Sequence, residues 1–145
     1  MRMRKICIVS HGHLASGIKS AIGILTGKAD SVEAIDAYVD DSDFTSRIEK
    51  FIDSVGPKDE AVIFTDIYGG SVFQKVILAQ PERKGIFHVT GTNLAAVIQC
   101  LLSADPLTPK VIDELIAESA RYLQRVPPVE PEHEKSVGEE GDFFS

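Results

Sequence analysis

Two short polar clusters carry the residue types that could do chemistry. His11 lies in Ser10-His11-Gly12-His13-Leu14-Ala15-Ser16-Gly17, straight after the apolar run Lys5-Ile6-Cys7-Ile8-Val9. Asp66 and Ser71 lie in Asp66-Ile67-Tyr68-Gly69-Gly70-Ser71, after a second apolar run over 61–65. A carboxylate against one ring nitrogen of a histidine fixes the tautomer and leaves the other nitrogen as acceptor and nucleophile. Ser71, preceded by two glycines at the start of a helical pattern, adds a hydroxyl and open backbone N–H groups. The helix expected after His11 adds more, and such a set suits a dianionic phosphoryl group. The sequence has no Gly-x-x-x-x-Gly-Lys-Ser/Thr loop, no Gly-x-Gly-x-x-Gly and no carboxylate cluster for magnesium, which argues against a nucleotide kinase or a dinucleotide enzyme. No cofactor and no metal are expected. One nucleophilic imidazole fits transient phosphorylation of His11 itself.

These clusters need elements that bring them together. Apolar runs at 5–9, 32–38, 61–65 and 85–90 read as strands, the first apolar enough to be buried on both faces and the third the clearest. Between them lie helical patterns. Leu14, Ile18, Ala21, Ile22 and Leu25 run to a stop at Gly27, and Phe44, Ile48, Phe51, Ile52 and Val55 follow the cap candidates Asp40 to Asp43. Ser71 reads as the cap of a third helix carrying Val72, Phe73, Val76 and Ile77, which Pro81 closes. Asn93 opens a fourth, and Thr108-Pro109 a fifth whose stripe is Val111, Ile112, Leu115, Ile116 and Leu123. Strand and helix in alternation predict an α/β fold: a doubly wound, mainly parallel sheet with helices on both faces. In strand order 2-1-3-4 the first and third strands are neighbours. His11 and Asp66 then face each other across the switch-point crevice.

With 145 residues, the chain is expected to form one domain over 1–126 and a flexible acidic tail over 127–145. The net charge of −7 sits mostly in that tail. From Pro128 onward six acids stand against Lys135, a net −5 that leaves −2 for the domain. The domain has no basic stripe to bind a nucleic acid. No apolar run approaches the roughly 20 residues of a membrane span, so no membrane insertion is expected and the cytoplasm is the expected compartment. Cys7 and Cys100, inside apolar runs, read as buried reduced thiols.

Three segments carry a resemblance. Ile8-Val9-Ser10-His11-Gly12, Phe64-Thr65-Asp66-Ile67-Tyr68-Gly69-Gly70-Ser71 and Gly91-Thr92-Asn93-Leu94 resemble the signature segments of the mannose/fructose/sorbose-family IIA component of the bacterial phosphoenolpyruvate-dependent sugar phosphotransferase system. The likeness runs from about Lys5 to about Val126, and His11-Gly12-His13 looks closer to the N-acetylgalactosamine and sorbose-type members. It implies that His11 takes a phosphoryl group from the phosphocarrier HPr and passes it to a IIB component, serving membrane IIC and IID components indirectly. It also implies Asp66 as the partner of His11, Ser71 with Gly12 and Gly70 as phosphate supports, and a homodimer.

The same residues have plainer readings. Asp66 could be a turn former, Ser71 a helix cap, and Gly69-Gly70 either clearance for a partner or a turn needing positive φ. Tyr68 reads equally as a docking aromatic or a packed lid. His13 is read as a supporting or surface residue, His88 as a satisfied core histidine and His133 as tail. Thr92 and Asn93 could line the crevice, with a helix cap the better reading for Asn93. Two other functions remain open: a hydrolase using Ser71, His11 and Asp66, although no Gly-x-Ser-x-Gly elbow is present, and a non-catalytic anion-binding regulatory module.

Overall fold

Four apolar strands pair side by side, with the two that are buried on both faces in the middle. In the computed structural model, which describes residues 3–129, these are β1 (Arg4–His11), β2 (Val32–Ala37), β3 (Glu60–Thr65) and β4 (Phe87–Thr90). They form one sheet in the order β2-β1-β3-β4, every neighbouring pair parallel. The helices are α1 (Leu14–Thr26), α2 (Phe44–Ser54), α3 (Ser71–Ala79), α4 (Leu94–Leu102) and α5 (Pro109–Ala120), with 3-10 turns at Ala29–Ser31 and Pro81–Lys84. The expected α/β class, strand order and double winding are all present.

Alternation along the strands splits the core in two. Ile6, Ile8, Val62 and Phe64 pack with α1, α4 and α5 on one face. Cys7, Val9, Ile35 and Ile63 pack with α2 and α3 on the other. Phe64, the largest side chain with no exposure, anchors the first layer; burying such a group is worth about 1.5–3 kcal/mol. Cys7 and Cys100 are buried free thiols, and burial pushes Cys100 up to about 11. Among the described residues no helix is long and apolar enough to cross a membrane.

Several element ends differ from the sequence expectation. The first strand runs on to His11, because pairing with β2 continues to the His11–Ala37 register and Gly12 N–H bonds the Ala37 carbonyl at 2.9 Å. The second stops one residue short, since Tyr38 turns left-handed at φ +67°. The fourth begins at Phe87, because Gly85 closes the preceding 3-10 turn at φ +71°. In α1 the buried positions are Ala15 and Ile22, while Leu14 and Leu25 are exposed. Leu123 lies beyond the end of α5 and is exposed, with no core beneath it. Thr108 and Asp43 cap their helices as expected. Most of the expected acidic tail, with His133, falls at 130–145, outside the described residues.

Candidate functional site

Parallel strands that leave the sheet in opposite directions open a crevice at their carboxyl ends. Here β1 and β3 are neighbours, and their last residues deliver His11 and Asp66 to one spot. Asp66 Oδ2 accepts the backbone N–H of His11 at 2.7 Å and meets the ring Nδ1 at 2.9 Å. The other oxygen, Oδ1, accepts Ile67 N–H at 3.0 Å. The Asp66 side chain is 10% exposed and that of His11 44%. Burial by itself would raise the Asp66 carboxyl, but the bonds and charge of His11 outweigh it and hold the group below the ordinary aspartate value. A carboxylate only accepts, so Nδ1 carries the proton and Nε2 keeps its lone pair.

Ser71 and Tyr38 stand around that lone pair. Ser71 Oγ is 3.3 Å from Nε2, and the Tyr38 hydroxyl donates to Ser71 Oγ at 2.9 Å. The Tyr38 ring also lies against the imidazole, centroids 5.4 Å apart, and meets Phe44 edge-on at 5.1 Å. Ser71 is not the cap of α3. Gly70 holds the cap position in extended backbone, and Ser71 is the first helical residue, with its hydroxyl turned to the histidine. Tyr38 went unnoticed in the sequence, where it reads as the end of a strand. Its left-handed backbone costs a bulky residue about 1–3 kcal/mol, and the signal that would have found it is position: β2 borders β1, so the residue after β2 emerges beside His11.

The glycines divide their work. Gly12 at φ +60° and Gly69 at φ +78° occupy backbone that favours glycine. Gly70 does not, and its reason is space: a Cβ there would lie 2.8 Å from Ile67 Cγ2 and 3.6 Å from His11 Cε1.

The start of α1 is less open than the sequence suggested, because neighbouring strands cap it. Ala15 N–H bonds Ser10 Oγ at 2.8 Å and Ser16 N–H bonds Asp36 Oδ1 at 3.0 Å. Asp36, a second residue the sequence did not disclose, also meets His13 Nδ1 at 3.0 Å and Ser16 Oγ at 2.6 Å. His13 is thus tied to β2, with its side chain 78% exposed. Asn93 caps α4 through Ala96 N–H at 2.7 Å, and Thr92 Oγ1 bonds the Thr65 carbonyl, so both serve the ends of elements. His88 Nε2 is 2.8 Å from Thr65 Oγ1, a satisfied and half-buried histidine. Tyr68 is 79% exposed, with its ring 5.1 Å from that of Phe73.

The family model of the PTS system fructose IIA component, EIIA-man, matches residues 5–118. The chain belongs to that family. This EIIA-man chain is also similar to solved structures. One, from Klebsiella pneumoniae and described as a phosphoenolpyruvate-dependent sugar phosphotransferase system permease, shares 28% identity at a TM-score of 0.75, covering 85% of this chain and 90% of its own. The PTS IIA protein associated with the fucose utilization operon of Streptococcus pneumoniae is 21% identical, with a TM-score of 0.71 over 84% of this chain and 92% of its own. A mannose/sorbose-specific IIA subunit from Enterococcus faecalis is 17% identical, with a TM-score of 0.72 over 88% and 98%. The last two show the shared fold. A search of curated protein sequences returned no match. As an EIIA-man protein, the chain is a IIA component of the sugar phosphotransferase system, and the crevice at His11 lies within the matched segment.

Proposed function

We propose that this protein is a phosphocarrier, taking a phosphoryl group from HPr on His11 and passing it to a IIB component during sugar uptake and phosphorylation. The observation that carries the reading is the His11–Asp66 pair, with Nδ1 held at 2.9 Å and Nε2 left as the free nucleophile. The Nε2 lone pair attacks the phosphorus of the donor phosphohistidine. A new N–P bond forms as the donor's breaks, and Nδ1 keeps its proton. The phosphorylated ring is then cationic, and Asp66 neutralises it until the IIB nucleophile takes the group away. Ser71 and the N–H groups of the first turn of α3, which have no intrahelical acceptor, receive the phosphoryl oxygens. Gly12 supports that site through its left-handed turn after His11, and Gly70 by leaving room beside the ring. The carrier unit is residues 1–126, working in the cytoplasm as a homodimer and serving membrane IIC and IID components through IIB.

The test is incubation with phosphoenolpyruvate, enzyme I and HPr. Wild-type protein should gain an acid-labile, alkali-stable phosphate, and His11→Ala should gain none. Labelled His11→Ala would remove the assignment. Phosphate binding without covalent transfer would instead identify an anion-binding module. A second reading has one observation in its favour: Ser71 Oγ, His11 and Asp66 are in line at 3.3 and 2.9 Å, as in a hydrolase triad. Family membership weighs against it, and so does the Tyr38 hydroxyl, which donates into the oxygen that would have to attack. Covalent capture of Ser71 by a fluorophosphonate probe would favour the hydrolase.

A further inference from the structure

We propose that Tyr38 is a positioning residue for phosphoryl transfer, holding the Ser71 hydroxyl so that its proton points first at His11 Nε2 and then at the transferred phosphoryl group. The inference rests on the phosphocarrier reading and extends it to a side chain outside the three signature segments. Its basis is the direction of a hydrogen-bond chain. Asp66 fixes the proton on Nδ1, so Nε2 can only accept, and Ser71 must be the donor in the 3.3 Å contact. Ser71 Oγ then has its acceptor side free, and the Tyr38 hydroxyl fills it at 2.9 Å. The chain runs one way, from Tyr38 to Ser71 to His11.

Two further features fit a functional role. Tyr38 keeps a left-handed backbone, φ +67°, that a bulky residue avoids. Tyr38 is 56% exposed, so core burial is not what holds it there. The turned backbone lays the ring on the imidazole, centroids 5.4 Å apart, and brings the hydroxyl to Ser71. On transfer Nε2 becomes bonded to phosphorus and loses its lone pair. The Ser71 proton turns from Nε2 to a phosphoryl oxygen, while the Tyr38 proton stays on Ser71 Oγ. No proton is gained or lost, and the serine oxygen stays in place through the step.

The experiment compares wild type, Tyr38→Phe, Ser71→Ala and the double variant at a fixed ratio of phosphorylated donor to protein. Tyr38→Phe keeps the ring and loses only the hydroxyl. It should lower the ratio of phosphorylated to free protein about five-fold, because the Ser71 bond that Tyr38 orients goes to an anionic phosphoryl oxygen in the phosphorylated state and only to a neutral nitrogen in the free one. In the Ser71→Ala background it should do nothing further, because its effect runs through Ser71. Tyr38→Phe equal to wild type, or losses that multiply in the double variant, would overturn the proposal. The nitrogen-15 resonance of Nε2 in unphosphorylated protein gives a readout independent of transfer. Tyr38→Phe should move it toward the position of an unbonded ring nitrogen, and an unmoved resonance counts against the role. Should wild type itself take no phosphate, the carrier reading fails, and the resonance still decides whether Tyr38 orients Ser71. Tyr38→Gly, which relieves the backbone, should show the same transfer loss in a folded protein; transfer at the wild-type level would equally refute the role.

Discussion

Replacing Asp66 by asparagine isolates the charge of one carboxylate from its shape. Asp66 receives three donors: His11 N–H at 2.7 Å and ring Nδ1 at 2.9 Å on one oxygen, and Ile67 N–H at 3.0 Å on the other. An amide brings an NH2 of its own, so in either orientation a donor faces a donor. The better orientation keeps the amide oxygen on His11 and gives up the Ile67 bond, where Ile67 is exposed and water can substitute. The tautomer therefore survives and the negative charge does not. The cost falls on the phosphorylated state, whose ring is cationic. A hydrogen bond to a charged partner exceeds a neutral one by about 1–2 kcal/mol, which is about 5- to 30-fold in the phosphorylation equilibrium. Intact-mass measurement of the phosphorylated fraction, at a fixed ratio of phosphorylated HPr, reads this directly. A folded Asp66→Asn variant within about twofold of wild type would refute the reasoning, because Asp66 would then do no more than orient a turn.

Two other predictions concern pH and space. Burial lowers the His88 pKa from 6.5, outweighing the opposing charge of Glu82. The fold thus prefers neutral His88, so stability present above pH 6.5 should fall as pH drops below it, levelling off beneath the lowered native value. His88→Gln should remove that part of the slope in denaturant titrations, and an unchanged slope would contradict the assignment. Asp36 and Asp66 are both held below 3.8 despite the burial that opposes this. The stability they add above 3.8 should be lost only in more acid solution, separate from the His88 slope. Gly70→Ala puts a methyl 2.8 Å from Ile67 Cγ2, so Ile67, whose N–H bonds Asp66, must shift, and 3.6 Å from His11 Cε1. Stability should fall by about 1–3 kcal/mol, while rapid-quench phosphorylation should slow about ten-fold as the His11–Asp66 pair is displaced. A wild-type rate would take Gly70 out of the site.

The meeting of His11 and Asp66 was legible because it depends on topology alone. Runs buried on both faces, joined by helices, force parallel strands, and the order 2-1-3-4 puts those two exits side by side. Asp36 was not legible, because its role depends on register: Ser10 lies opposite Asp36, which places that carboxylate at the start of a helix it precedes by no short sequence rule. Ser71 misled for a local reason. Serine before an apolar run is a good cap, but Gly70 takes that position and frees the hydroxyl.

Ser71 and Tyr38 fail their local rules in the same direction. Serine gives up a capping bond it could have made, and tyrosine accepts a backbone it would ordinarily avoid. A sequence shaped only for stability has no reason to keep either departure, since a residue that tolerates φ +67° at position 38 would relax the chain. Both departures end at one atom. The serine hydroxyl freed from capping is the group that reaches Nε2, and the strained tyrosine is the group that reaches that hydroxyl. Elsewhere in the described residues, the caps of α2, α4 and α5 follow the usual preference, and Gln80, the other non-glycine residue with positive φ there, closes α3 at φ +51°, a common place for such a turn. Two local costs thus meet where an imidazole must keep one nitrogen bound and the other ready, which is what reversible phosphoryl transfer requires of a histidine.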